Sequence, residues 1–396
     1  MGSTAQMNPA QLNAIARASI KAKAVKMTQQ IFAQTYGAAA NASNVALTQP
    51  VINIIPRNVG LIRGFWVKAV ATFNNQSGGT ATLTDFAGSN IFSLVQFNDL
   101  NNNTRISTPG WHIGMINSIR ARRPFGASLV KSTGEDDQVN YGSNWPVAQA
   151  AATIGTGTQG TVTFWYYIPL AYSDDDLRGS VYANVVNATM QLNLSLNQNA
   201  TVTTGTDSTT AVYTAATPGT CWFSQLAVTV YQEYFDQLPV GPGGVLLPVL
   251  DLATIYELKQ TTVTAVVAAQ DFPVQYANFR DFLSTIAVYV NTGATGARGV
   301  GADINYWALQ SANFTNIWKK EPNLIALQTR NHLQTDMPPG CYYFSSREKP
   351  ISTVQYGNMQ LVLNAITAGA GAYAFIAYED FALVQTLSMA GSLAAS

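Results

Sequence analysis

The sequence predicts an all-β protein, two similar β-sandwiches in tandem behind a helical amino-terminal arm. Short β-branched and aromatic runs recur from Val51 onward between Asn, Gly, Thr and Pro clusters, the pattern of sandwiches and jelly rolls. Three blocks occur in the same order in both halves. They are Tyr166-Tyr167, Met190–Leu194 (MQLNL) and Tyr231–Tyr234 (YQEY), then Tyr342-Tyr343, Met359–Leu363 (MQLVL) and Tyr378–Phe381 (YEDF). A chain of 396 residues is too long for one ordinary sandwich and suits two.

The arm opens at Asn8-Pro9, an N-cap followed by proline in the first turn. Alanine-rich sequence then predicts a helix to about Tyr36, with Leu12, Ile15, Ala16, Ile20, Met27 and Ile31 on one face, interrupted by Lys23 and Lys26. "GAAANASNVALTQP" follows as an extended connector. Strands are expected at 61–73, 161–170, 190–196, 221–235, 282–290 and 359–363. Short helical pieces are expected at 174–178, 251–258 and 306–318, and the Thr-rich segment 199–220 reads as a long exposed loop. The stretch "DQLPVGPGGVLLPVLDL" lacks the phosphate-loop pattern, and Pro242 removes an amide that an anion nest would use. It reads as a proline-stiffened connection. The resulting divisions are arm and connector 1–50, first domain 51–236, linker 237–250, second domain 251–387 and tail 388–396.

Only 11% of residues are charged, against about 25% in ordinary soluble proteins. Such a surface repels its own copies weakly and suits large assemblies. The 21 basic and 21 acidic residues balance, but no acid precedes Asp85, so the arm is cationic. Cys221 and Cys341 sit in no metal or disulfide pattern and read as buried or free thiols. The amino terminus lacks the apolar core of a signal peptide, which argues against export by that route, and no apolar run is long enough for a transmembrane helix.

Catalytic constellations are scarce. The two histidines, His112 and His332, lie in no nucleophile motif, and His112 beside Trp111 reads as packed or hydrogen-bonded. Glu135, Asp136 and Asp137, and Asp174, Asp175 and Asp176, form acid runs, but adjacency alone does not set the separation that glycoside hydrolysis needs. Ser173 reads as the N-cap of a helical turn at the second run. Arg120, Arg122 and Arg123 suit a subunit contact, because Arg is enriched at interfaces. No catalytic residue, cofactor or metal site is expected.

Several blocks together resemble the major capsid protein of tectiviruses, the tailless bacteriophages with an internal membrane. They are residues 230–258, 274–288, 301–315, 335–343 and 349–358, with 58–69, 110–112 and 166–185 in the first half. The resemblance runs collinearly over roughly 50 to 385, while the loops 199–220 and 291–300 do not follow it. It implies two eight-stranded jelly rolls side by side, and a homotrimer of pseudo-hexagonal outline. It also implies an icosahedral shell around a lipid vesicle with double-stranded DNA, and contacts with neighbouring trimers and with vertex and minor capsid proteins. The expected location is the virion shell, assembled in the host cytoplasm, with no sequence-specific contact to nucleic acid.

The reading is therefore a structural coat protein and not an enzyme. Arg17, Lys21, Lys23 and Lys26 are the candidates for contact with an anionic membrane or inner partner. Leu12, Ile15, Ile20, Met27, Ile31, Arg120, Arg122 and Arg123 are the candidates for subunit interfaces. The alternative is a secreted or surface carbohydrate-binding sandwich using Trp111, Trp145, Trp165 and Tyr172. A sandwich glycosidase using Asp174 to Asp176 is a further rival.

Overall fold

The computed structural model describes residues 8–38, 43–121, 148–150, 153–173, 175–184, 189–203, 208–217, 219–241, 244–293, 295–334 and 336–383. After helix α1 (Pro9–Lys23), one sandwich is built from β1 (Val25–Gly37), β2 (Val51–Ile54), β3 (Leu61–Asn75), β4 (Phe92–Asn98), β5 (Thr104–Thr108), β6 (Thr158–Pro169), β7 (Gln191–Leu196) and β8 (Cys221–Asp236). The other is built from β9 (Thr254–Thr264), β10 (Asp271–Gln275), β11 (Arg280–Thr292), β12 (Ile304–Ser311), β13 (Trp318–Lys320), β14 (Cys341–Ser345), β15 (Met359–Ala365) and β16 (Tyr373–Leu383). Helix α2 (Gly110–Ala121) joins β5 toward β6, and helix α3 (Pro322–Leu333) joins β13 to β14.

The strand orders are β1-β8-β3-β6 facing β2-β7-β4-β5, and β9-β16-β11-β14 facing β10-β15-β12-β13. Adding eight to each number of the first pair of sheets gives the second pair. The repeated blocks fall on matched strands: the Tyr-Tyr pair on β6 and β14, the MQL block at β7 and β15, the third block on β8 and β16. This duplicated topology is a double jelly roll, each half burying alternate residues of its two sheets. Along β6, for example, Val162, Phe164, Tyr166 and Ile168 point into the first core.

Several sequence expectations fail for physical reasons. The helix ends at Lys23, with Ala24 already extended. From Val25 the chain is β1, paired antiparallel with β8 from Val25↔Asp236 to Gly37↔Gln225. Alanine propensity ends there, and Val25, Thr28, Ile31, Phe32, Thr35 and Tyr36 favour a strand once a partner edge is available. The segment 199–220 is not an exposed loop. Thr201–Thr203 and Tyr213–Ala215 join Ala81–Leu83 and Thr153–Ile154 in a small four-stranded sheet, and Ala211, Val212 and Tyr213 are buried. Its threonines were strand formers in an uncharged setting. Residues 306–318 begin as β12, and 251–258 are the end of a short turn, Val249–Leu252, followed by β9. At 174–178, Asp174 lies outside the described residues. Ser173 Oγ accepts from the amides of Asp175 and Asp176 as a cap would, but no helix follows.

The two sandwiches are joined by more than their linker. β5 pairs in parallel with β9, through Ile106↔Leu258 and Ser107↔Lys259, so β2-β7-β4-β5 and β9-β16-β11 run on as one sheet. The linker itself carries a small exposed hairpin, Val240–Gly241 with Gly244–Val245, while Pro242 and Gly243 lie outside the described residues. Gly244 has φ of 112°, a value that favours glycine.

Candidate assembly site

The described residues most relevant to assembly are those that already join one sandwich to the other. Tyr256 and Leu258 from β9, with Leu283 and Phe381, belong to the core of the first sandwich although their strands belong to the second. Helix α2 has two working faces. Ile113 and Ile116 enter the first core, while Trp111, Met115 and Ile119 pack against Ile286, Val288 and Phe375 of β11 and β16. Tyr172 meets Phe381 edge-on at 5.4 Å, and the Arg178 guanidinium lies 4.2 Å over the Phe381 ring.

At the centre of this junction sits Glu379 on β16, fully buried. Its Oε1 accepts from Tyr256 Oη at 2.7 Å and from Arg120 Nη2 at 2.9 Å. Its Oε2 accepts from Ser284 Oγ at 2.8 Å and from Arg347 Nη2 at 2.6 Å. Burial opposes ionisation, but Arg347 and Arg120 override it and hold this carboxyl well below the usual range. Arg120 comes from α2 of the first sandwich, so the carboxylate ties the two halves together. The sequence offered Arg120 as a contact between subunits, whereas here it bonds Glu379 within the chain; Glu379, Tyr256, Ser284 and Arg347 were missed, although Glu379 lies in the repeated YEDF block.

A second buried charge group occurs in both sandwiches at matched positions. In the first, Glu233 on β8 contacts Arg63 at 3.0 Å and Lys26 at 2.6 Å. In the second, Asp380 on β16 lies 3.7 Å from Arg280, which contacts Glu257 at 2.9 Å, with Lys259 at 2.8 Å from the same Glu257. Glu233 thus faces an Arg from the strand on one side and a Lys from the strand on the other, whereas at Asp380 the Arg is shared with Glu257, which takes the Lys. The second sandwich adds Glu257 directly opposite Asp380. Burial and that neighbouring carboxylate push the Asp380 carboxyl well above its ordinary range.

The arm is pinned to the same region. Arg17 pairs with Asp251 and with Asp176, Lys21 pairs with Asp175, and Asn13 Nδ2 donates to Asp251 Oδ1 at 2.9 Å. Lys26, now on β1, pairs with Glu233. Lys23 is exposed, and no ion pair is found for it among the described residues. Leu12 and Ile15 are 46% and 43% exposed, whereas Ile20 is buried with Leu61, Leu177 and Phe235. Met27 is 40% exposed on β1, and Ile31 packs against the first core. The acid run at Asp175 and Asp176 therefore anchors the arm. Arg122, Arg123, Trp145 and the acids Glu135 to Asp137 lie outside the described residues.

His112 is fully buried in α2, with Nδ1 2.7 Å from Thr108 Oγ1. Burial lowers its pKa to about 3 from an ordinary 6.5. The folded state therefore refuses a proton that the unfolded chain accepts. Stability contributed by neutral His112 is complete above pH 6.5 and is lost as pH falls toward 3, by about 1.4 kcal/mol per unit. His112→Gln is expected to flatten the stability profile between pH 6.5 and 4.5; chemical denaturation at several pH values measures it, and an unchanged slope would contradict this. Cys221 and Cys341 are buried free thiols. Trp111 is buried at the junction, and Trp165 is half-buried, stacked on Tyr231 at 6.3 Å.

The comparisons with known proteins fit this architecture. A family model described as P3 major capsid protein N-terminal matches residues 3–238, and one described as P3 major capsid protein C-terminal matches residues 253–395. The chain is 37% identical to the major capsid protein P3 of Enterobacteria phage PRD1 over 399 residues, 99% of each chain. The chain belongs to the P3 major capsid protein family. As a member of the P3 family it is a structural coat protein and not an enzyme, and its place is the capsid shell of a phage virion. Among solved structures, the STIV MCP matches with a TM-score of 0.61 at 10% identity, covering 91% of this chain and 97% of that one. A chain in the atomic structure of Sulfolobus Turreted Icosahedral Virus matches with a TM-score of 0.62 at 12% identity, covering 92% and 93%. These two likenesses extend the fold, at identities too low to carry more.

Proposed function

We propose that this P3-family chain builds a homotrimer of pseudo-hexagonal outline that tiles an icosahedral shell around an internal membrane. Neighbouring trimers, and vertex and minor capsid proteins, are its partners in that shell. The observation that carries the reading is the duplication. Each chain holds two sandwiches of identical strand order joined side by side, so three chains supply six similar units. A head-to-tail contact that repeats around an axis forms a ring when the rotation closes. The chain divides accordingly into the arm, a first sandwich that starts at β1, a proline-containing connection near 237–250, and a second sandwich ending with β16.

The arm faces inward in this reading. Its membrane contact comes from exposed Leu12, Ile15 and Lys23, while Arg17, Lys21 and Lys26 hold it to the body of the subunit. An amphipathic helix whose cations are already paired binds an anionic bilayer mainly through its apolar face. Light scattering on the purified protein tests the oligomer: a mass near three times 42.5 kDa is expected, and a stable monomer would contradict it.

A further inference from the structure

We infer that two chain edges left open in the subunit, β13 and β1, pair with each other between copies, and that Met27 of one copy fills a cleft in the next. This rests on the trimeric reading and adds to it a surface, a register and a partner, a second copy of this chain.

The first sandwich is covered at one sheet edge. There β5, the outer strand of its sheet, pairs in parallel with β9, and Tyr256 of β9 enters the core beside it. The matched strand in the second sandwich is β13. It pairs with β12, and among the described residues it has no strand on its other side. Beside it is an open cleft of about 450 Å³, lined by Phe282, Leu309 and Trp318 on its apolar side and by Lys320, Arg347, Glu348 and Lys349. The first sandwich has its counterpart of this space occupied; among the described residues nothing occupies it in the second.

The strand that would occupy it follows from the duplication. β1 is the match of β9, and among the described residues it is an edge strand with β8 as its partner. Aligning YQEY on β8 with YEDF on β16 fixes the register. Tyr234 opposes Met27 as Phe381 opposes Tyr256, and Gln232 opposes Gln29 as Glu379 opposes Leu258. Met27 thus stands where Tyr256 stands, Gln29 where Leu258 does, and Gln30 where Lys259 does. Met27 is 40% exposed, an apolar side chain on an open strand edge. Such edges are templates for pairing with another chain.

The same procedure fixes the other side. Aligning the two MQL blocks places Leu309 where Phe97 stands, and so Trp318 where Ile106 stands and Lys319 where Ser107 does. Within the chain Leu258 pairs with Ile106 and Lys259 with Ser107. Between copies, Gln29 is therefore set opposite Trp318 and Gln30 opposite Lys319, in parallel. The apolar Met27 enters the aromatic cleft as Tyr256 enters the first core. The two junctions differ in charge. Gln232 replaces Glu379, and His332, eleventh in α3, replaces Arg120, eleventh in α2. The junction between copies thus has no counterpart of the Glu379 carboxylate or of Arg120, while Arg347 lines the cleft that Met27 enters.

Two variants of the full-length protein test the register. In Gln30→Cys/Lys319→Cys, the new thiols face each other only across copies. Mild oxidation is expected to give a covalent three-chain species on a non-reducing gel, absent from either single variant. Met27→Lys places a cation beside Lys320, Arg347 and Lys349 of the cleft and is expected to raise the concentration at which the trimer dissociates by about tenfold or more, with the thermal unfolding of the subunit unchanged. A wild-type trimer by light scattering, with no cross-link in the double variant and unaltered dissociation of the Met27→Lys protein, would overturn the inference and leave the trimer standing. A wild-type monomer would remove both.

Discussion

Glu379→Gln is expected to lower the free energy of unfolding by about 3–5 kcal/mol, among the largest effects of any single substitution in this chain. The carboxylate is fully buried and accepts from Tyr256, Arg120, Ser284 and Arg347. An amide keeps the shape but leaves two guanidiniums at the junction without a counter-charge, and its NH₂ group faces donors where an acceptor is required. The sign with pH is set by the depressed carboxyl. Its contribution is complete above the ordinary glutamate value of 4.5 and is lost as pH falls below it. The neighbour on the same strand behaves oppositely. Asp380, raised by burial and by Glu257, is better suited by a neutral side chain, so Asp380→Asn is expected to change stability by no more than about 1 kcal/mol. Urea unfolding followed by tryptophan fluorescence compares the two. Equal losses would contradict the assignment of the junction to Glu379.

Removing residues 1–37 is expected to abolish soluble folded subunit, whereas removing residues 1–23 is expected to leave a folded subunit that no longer assembles membrane-filled particles. The distinction comes from β1. A deletion ending near residue 36 takes away an entire strand whose ladder with β8 runs from Val25↔Asp236 to Gly37↔Gln225, along with Lys26, a partner of the buried Glu233. The shorter deletion removes only α1, held to the body through Arg17, Lys21 and Asn13 and by burial of Ile20. Circular dichroism and size-exclusion chromatography read the fold, and electron microscopy of expressed particles reads assembly. A soluble, cooperatively unfolding 38–396 chain would contradict the role of β1.

The legible part of this fold was its duplication. The Tyr-Tyr, MQL and third blocks mark β6, β7 and β8 and their counterparts β14, β15 and β16, because core strands repeat the same in-and-out alternation wherever the topology repeats. The illegible parts were decided by distant partners. The β-branched and aromatic residues of Val25–Gly37 shift the local propensity, but only β8, far along the chain, offers the edge that makes the segment a strand. The Thr-rich 199–220 segment likewise looks like loop until Ala81–Leu83 and Thr153–Ile154 supply a sheet. The junction shows the same division. Arg120 was visible as part of a basic run, but Glu379 gave no sign of burial, since an acid in a strand reads as solvent-facing. The arm cations were legible as charge, but the acids that hold Arg17, Lys21 and Lys26, namely Asp175, Asp176, Asp251 and Glu233, lie far along the chain.

The central claim is that the sandwich-to-sandwich junction inside one chain is the unit that repeats around a closed ring. Averaged electron images of the purified protein, viewed down the ring axis, test this most directly. The account predicts a six-lobed particle with three-fold symmetry and a mass near three times 42.5 kDa. A two-lobed particle of single-chain mass, or an open chain of subunits, would contradict it.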